Sequence, residues 1–359
     1  MFKVYQTYLI QKFLIKFLYI SLIFFSLSII LGLLEEISFF KDLNKNLLYP
    51  YFLTFLNAPI TLFEIFPFIF LLTTQFLFYD LFRNSELDLL KQNGLNNLKI
   101  VKILFFLSIL IGIFNISIYY NIASTLKFKY SDIKNSFSND NKYLAMVTDS
   151  GIWIKDEINS KTLIIKSNYF KDNFLYDSII NEFDNNFELL RTIQSEKINI
   201  EDNTWIIYDS KITVENISKE YNENLVIQTN FNKDKINNLF SDILTLNLIK
   251  LFDQKKDFEK LGYSSDEINI HLLRLFTTPF FYGMLTILSA IIMFNFSKDK
   301  SIIFNVIIGI LMSVIIYYIV FIFSSLGTNG KLPVYISIFF PLILISIVSI
   351  IGLINLNEK

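Results

Sequence analysis

The chain has 359 residues, of which 53% are hydrophobic and 39 are phenylalanine, with a mean hydropathy of +0.45. That excludes an ordinary water-soluble globule, because the apolar residues are bunched as well as abundant. A net charge of −1 offers no bulk attraction to nucleic acid, and the lack of cysteine excludes a disulfide framework and thiolate chemistry.

About 20 apolar residues in a helix cross a bilayer core of ~30 Å. Six runs reach that length: residues 9–34, 52–79, 100–122, 272–296, 302–326 and 333–356. The first carries Lys12 and Lys16 near its start, so its membrane part begins later. It is too long for a secretory signal peptide and lacks a small-residue cleavage site. Within the second run Glu64 lies between Pro59 and Pro67, where an ionisable group is either functional or reaching headgroups.

Loop charges give a topology, since cytoplasmic flanks collect Lys and Arg. Lys3, Lys12, Lys16, Arg83, Lys91, Lys99, Lys102, Lys298, Lys300 and Lys359 fall on one side if all six runs cross. The other side receives loops 35–51 and 327–332 and a large insert over 124–270. This predicts cytoplasmic termini and an external insert.

The loop 84–103, NSELDLLKQNGLNNLKIVKI, is more than a connection. Ser85 is a candidate N-cap, Glu86 and Asp88 favour the positive end of a helix dipole, and Gly94 suits the left-handed position that ends a helix. Leu87 and Leu90 share a face. The stretch predicts a short amphipathic helix over 84–93 on the cytoplasmic side, before the chain re-enters the membrane. Two acids in its first turn suit anionic headgroups poorly, so a docking helix for a cytoplasmic partner is the sharper reading.

In the insert, polar residues alternate with β-branched and aromatic ones. Residues 143–147, 151–155, 162–169, 177–183, 187–200, 204–214 and 224–229 read as short strands, with Trp153 and Trp205 in two of them. Strands without intervening helices predict an all-β sandwich or roll. Residues 235–260 return to helical spacing and Gly262 interrupts them.

Catalytic residues are sparse. The single histidine, His271, stands at the outer edge of the fourth run and reads as an interfacial residue rather than a ligand or base. The segment GTNGK at 327–331 lacks phosphate-loop spacing, so no ATP hydrolysis and no cofactor are expected of the chain itself.

These features resemble the LptF/LptG family, the permease subunits of the bacterial lipopolysaccharide exporter. The resemblance rests on Pro59, Pro67, Ser85, Glu86, Leu87 and Gly94 and on the β insert between the third and fourth runs. It rests also on SGIWIKD at 150–156, LGYSSDEINIHLLRLFTTPF at 261–280 and LGTNGKLPVYISIFFP at 326–341. The Trp segment is nearer LptG than LptF. The resemblance implies a membrane α-helical fold of six transmembrane helices with an inserted periplasmic all-β, jellyroll-like domain. The divisions are helices one to three with the coupling helix over 1–123, the β domain over 124–234, a helical return over 235–270, and helices four to six over 271–359.

The resemblance also implies a multi-pass protein of the inner membrane of a Gram-negative bacterium that extracts lipopolysaccharide without being an enzyme. A second, LptF-like permease and an LptB-like cytoplasmic ATPase dimer, which binds the ATP, would be partners. LptC- and LptA-like jellyroll proteins would receive the lipid. Ser85, Glu86, Leu87, Leu90 and Gly94 would form the ATPase-coupling site.

Lipid phosphates would meet Lys41 and Lys45 after the first span and Lys127, Lys129 and Lys134 after the third, although Glu35 and Glu36 stand where the family often has a cation. The same lysines can also serve simply as solvated interfacial anchors. Acyl chains would meet Phe24, Phe25, Ile315 and Phe321. The alternatives are a membrane-bound enzyme acting on outer-leaflet lipids, for which no polar catalytic cluster is found, and a sensor, for which no cytoplasmic signalling domain is long enough.

Overall fold

The computed structural model describes residues 4–41, 48–137, 152–158, 161–171, 173–215, 217–221, 223–233, 235–236, 242–260, 264–296 and 302–357. The chain divides into two compact units, one of Met1–Lys127 with Asp266–Lys359 and one of Phe128–Ser265.

Each apolar run becomes a helix long enough to cross a membrane, six among the described residues. The first two are α1 (Val4–Phe40) and α2 (Leu48–Arg83); the short α3 (Glu86–Gln92) follows. The third span is continuous from α4 (Asn97–Phe114) through a π-helical turn (Asn115–Tyr120) into α5 (Asn121–Phe137). A short helix α6 (Leu248–Lys260) belongs to the other unit. The last three spans are α7 (Asp266–Phe296), α8 (Ile302–Thr328) and α9 (Val334–Asn357).

Lipid is as apolar as leucine, so packing and hydrogen bonds, rather than burial from water, decide which spans associate. Spans two, three and four form the centre. Ser108 on α4 shares a hydrogen bond with Thr286 on α7 at 2.7 Å, and Ser289 Oγ donates to the Leu71 carbonyl at 2.8 Å. Phe70 stacks on Tyr282 with centroids 4.3 Å apart. At Gly112 the backbone of α7 approaches so closely that a Cβ would lie 2.6 Å from the Pro279 Cα. The most apolar window of α7 is accordingly 61% buried, against 11% for α1 and 17% for α8. Pro59 and Pro67 sit inside α2, Pro279 inside α7 and Pro341 inside α9 without ending them. Membrane helices accommodate such prolines through neighbouring groups and local adjustment.

Among the described residues, the second unit holds one antiparallel sheet of eight strands: β1 (Ile152–Ile158), β2 (Lys161–Lys171), β3 (Phe174–Phe183), β4 (Leu189–Asn199), β5 (Thr204–Tyr208), β6 (Ser210–Val214), β7 (Ile217–Tyr221) and β8 (Leu225–Gln228). The order runs β1-β2-β3-β4-β5-β8. The long β4 also pairs with β6 through Thr192–Gln194, while β5 takes Lys197–Asn199, and β7 pairs with β6. Inward residues alternate along the strands into a core that includes Ile154, Ile165, Ile180, Ile193 and Ile207 around a fully buried Trp205. The indole Nε1 donates to the Phe231 carbonyl at 2.8 Å, so the polar edge of the ring is satisfied inside the core. Trp153 is half exposed, with the Lys166 ammonium 5.2 Å from its ring centroid.

Two details differ from the strand pattern of the sequence. The run 204–214 is two strands, because Asp209 takes φ 44° and turns the chain. Strand β7 was not foreseen; all five of its residues are exposed, so it carries no alternation to read. The expected strand at 143–147 lies outside the described residues. In the return segment, a 3₁₀ turn at Ile243–Thr245 precedes α6.

Candidate functional site

The site begins with the way α2 turns into α3. The Ser85 amide donates to the Phe82 carbonyl at 3.2 Å, and Ser85 itself takes φ 56°, in the left-handed region. Its hydroxyl makes no capping bond, so the expectation of a side-chain N-cap is corrected. A left-handed residue lets the chain reverse within two positions of the end of α2, and that geometry aims the hydroxyl away from the first-turn amides.

The C-terminus is built as the sequence indicates. Gly94 has φ 81°; its amide donates to the Lys91 carbonyl at 2.9 Å, and the Leu95 amide to the Leu90 carbonyl at 3.1 Å. This pair of bonds is a Schellman motif, and Leu95, which follows the glycine, is buried. Asn96 then caps α4, accepting from the Lys99 amide at 2.9 Å.

Seven residues make only two turns, and α3 uses its apolar side on its own chain. Leu87 is 3% exposed, so it is not one of two leucines offered outward; Leu90 is half-buried, and Leu89 and Asp88 are exposed. Glu86 is likewise engaged. Tyr8 Oη donates to Glu86 Oε2 at 2.6 Å, the Lys12 ammonium donates to the same oxygen, and Asn84 Nδ2 reaches Oε1 at 3.3 Å. Burial pushes the Glu86 carboxyl up, but the bonds from Lys12, Tyr8 and Asn84 outweigh it and hold the group below the usual carboxylate range. One turn along α1, Lys16 pairs with Asp80 of α2 at 2.5 Å.

Sequence reasoning read Lys12 and Lys16 only as flanking charges and did not single out Tyr8. The signal available was the four-residue spacing of Tyr8, Lys12 and Lys16, which puts them on one helix face.

This arrangement joins a capped helix between spans two and three to six spans and an inserted antiparallel sheet. Over residues 7–355 the sequence matches the family described as lipopolysaccharide export system permease LptF/LptG. The chain belongs to the LptF/LptG family. No curated protein matches it. Membership makes it a multi-pass permease of the inner membrane rather than an enzyme.

The remaining candidate residues of this LptF/LptG chain divide by surroundings. Lys41 is exposed just past α1; Glu35 is exposed, while Glu36 is 2% exposed. Lys45 lies outside the described residues. Lys127 donates to Asn57 Oδ1 of α2 at 2.9 Å. Lys129 is exposed. Lys134 is buried and donates to Tyr130 Oη at 2.7 Å, which turns it away from water. Phe24 and Phe25 are half-buried on α1, and Ile315 and Phe321 are exposed on α8. Tyr317 stacks on Phe321 and meets Phe68 of α2 at a tilt of 45°.

His271 shares a 2.8 Å hydrogen bond with Tyr120 Oη, a contact between the third and fourth spans. Glu64 is exposed on α2. Among the described residues no three His, Asp or Glu side chains converge as metal ligands would.

Proposed function

We propose that the chain is one of two permease subunits of an ABC transporter that extracts lipopolysaccharide from the inner membrane, driven by a separate cytoplasmic ATPase. The observation that carries this is α3: a discrete, Schellman-terminated helix between spans two and three, in a chain of this family, with Asp88 and Leu89 facing outward. A helix so placed moves the two spans joined to it when a partner displaces it. The loop charges put α3 and both termini in the cytoplasm and the sheet in the periplasm. An LptB-like ATPase dimer binds the ATP, and the chain itself needs no cofactor.

The second permease is LptF-like if this chain is the LptG member, as the segment around Trp153 favours. Lipid phosphates meet Lys41 at the outer rim, and acyl chains meet α1 and α8 beneath, where Phe24, Phe25, Ile315 and Phe321 lie. The lipid then passes to the sheet and on to LptC- and LptA-like jellyrolls, since an antiparallel sheet with open edges can pair edge to edge with similar domains.

Purification of the tagged chain from its own membranes tests the reading. An ATPase and a second six-span permease should accompany it. A Glu86→Ala variant should insert normally yet retain less ATPase, because charge-assisted contacts at an interface cost ~2 kcal/mol or more to remove. Recovery of the chain alone, or unchanged ATPase recovery with unchanged export in the variant, would refute the coupling assignment.

A further inference from the structure

Glu86, the acid assigned above to ATPase docking, already has partners on α1. Tyr8 Oη donates to Oε2 at 2.6 Å and Lys12 donates to the same atom, while Asn84 approaches the other oxygen. Tyr8 and Lys12 are one turn apart, and Lys16, a further turn along, holds Asp80 of α2. The side chains of Lys12 and Glu86 retain 24% and 22% exposure, so salt and water screen this pair less than an open surface pair.

Elsewhere α1 lies along α2, with Ile20, Ser28, Glu36 and Phe40 buried and Phe17 packed on Phe66 and Phe70, although only 11% of its most apolar window is covered. The chain joins α3 to α2 and α4 directly; its side-chain bonds to α1 run through the Glu86 cluster.

We propose that Tyr8 and Lys12 are positioning residues that fasten α3 to α1, so that displacement of α3 by its ATPase carries the inner end of α1 with it. This rests on the coupling reading and adds the route by which force reaches the first span. Two charge-assisted bonds converge on one oxygen, from side chains that a single helix face presents together. A lone pair of exposed charges would be exchanged for water at little cost; this cluster has two donors on one oxygen and is partly shielded. Lys12 is then required for coupling and not for ATPase binding.

The test uses the intact complex and the full chain. Lys12→Met should leave ATPase recovery and ATP hydrolysis near the unaltered level while lipid released per ATP falls ~5-fold or more, the low end of typical coupling between sites. Lys12→Arg should restore most of the yield, because it keeps the charge.

In the naturally cysteine-free sequence, spin labels at cysteines replacing exposed Ile15 and Leu89 should report one narrow separation, broadened by Lys12→Met. An unchanged yield per ATP, or a separation that stays narrow in Lys12→Met, would overturn the proposal. If the unaltered chain recovers no ATPase, the coupling reading fails, and the label separation alone decides whether the cluster ties α3 to α1.

Discussion

Replacing Gly112 by alanine tests the central packing of the bundle. The added Cβ would stand 2.6 Å from Pro279 Cα, 3.0 Å from Pro279 Cβ and 3.2 Å from Tyr282 Cδ2. Carbon atoms rest at ~3.5–4.0 Å, so the two helices must part by roughly 1 Å. The obstacle is backbone and ring, and neither can swing aside as a long side chain would.

One turn away the Ser108–Thr286 bond, 2.7 Å long, would be stretched beyond hydrogen-bond range. Overpacking costs ~1–3 kcal/mol and the interhelical bond about 0.6 kcal/mol more. Set against alanine's ~1 kcal/mol advantage in a helix interior, the net loss is ~1–3 kcal/mol, which lowers the thermal midpoint by about 2–5 °C at a fixed scan rate in detergent. Gly32→Ala is the control: its Cβ meets only the methyl of Thr54, at 3.1 Å, and a helix interior prefers alanine by ~1 kcal/mol. Equal midpoints for the two variants would refute the argument that Gly112 is needed for close approach.

Three further outcomes are expected. A reporter fused between strands β6 and β7 should behave as periplasmic and one at Gly94 as cytoplasmic; the same side for both would remove the topology derived from loop charge. Lys41→Asp should repel lipid phosphates and lower export ~10-fold, the loss of one charge-assisted contact, with assembly intact. Photo-crosslinking from position 41 checks this, and full export without lipid adducts would leave Lys41 as an ordinary surface charge.

In the sheet, Glu182 is 3% exposed and accepts from Lys161 at 2.6 Å and Arg191 at 2.5 Å. Burial raises its carboxyl, but both bonds outweigh that and hold it below the usual range. Because the folded value is depressed, its contribution is complete above ~4.3 and is lost as pH falls through the lower folded value. Glu182→Gln should destabilise the sheet by about 1–2 kcal/mol at neutral pH, discounted for the exposure of both cations, and flatten that acid dependence in hydrogen-exchange measurements.

The spans were legible because each is a long run set by bilayer thickness, and the stop of α3 was legible because Gly94 is the residue a left-handed position prefers. Ser85 was misread: its type suits an N-cap, but nothing local tells a serine that caps from a serine whose backbone turns. Leu87 could not be placed, since both sides of a two-turn helix look alike until it is known which one seats on its own chain. The Glu86 cluster joins residues 78 and 74 positions apart, beyond the reach of any local pattern. The buried position of Lys134 likewise depends on Tyr130 being turned inward with it. In the insert, strands with one covered face were visible by alternation, whereas β7, open on both faces, was not.

The uneven burial of the spans has an energetic consequence. On α1 and α8 most of the apolar surface is left to whatever surrounds the chain. In water such exposure would force immediate aggregation; within hydrocarbon, an acyl chain and a neighbouring helix satisfy that surface almost equally well. Occupants can therefore be exchanged for small differences in shape and dispersion, with no large barrier from desolvation. A protein that must take a lipid from its surroundings and later let it go gains from near-degeneracy of this kind, because a surface that gripped its occupant firmly would store the cargo instead of passing it on.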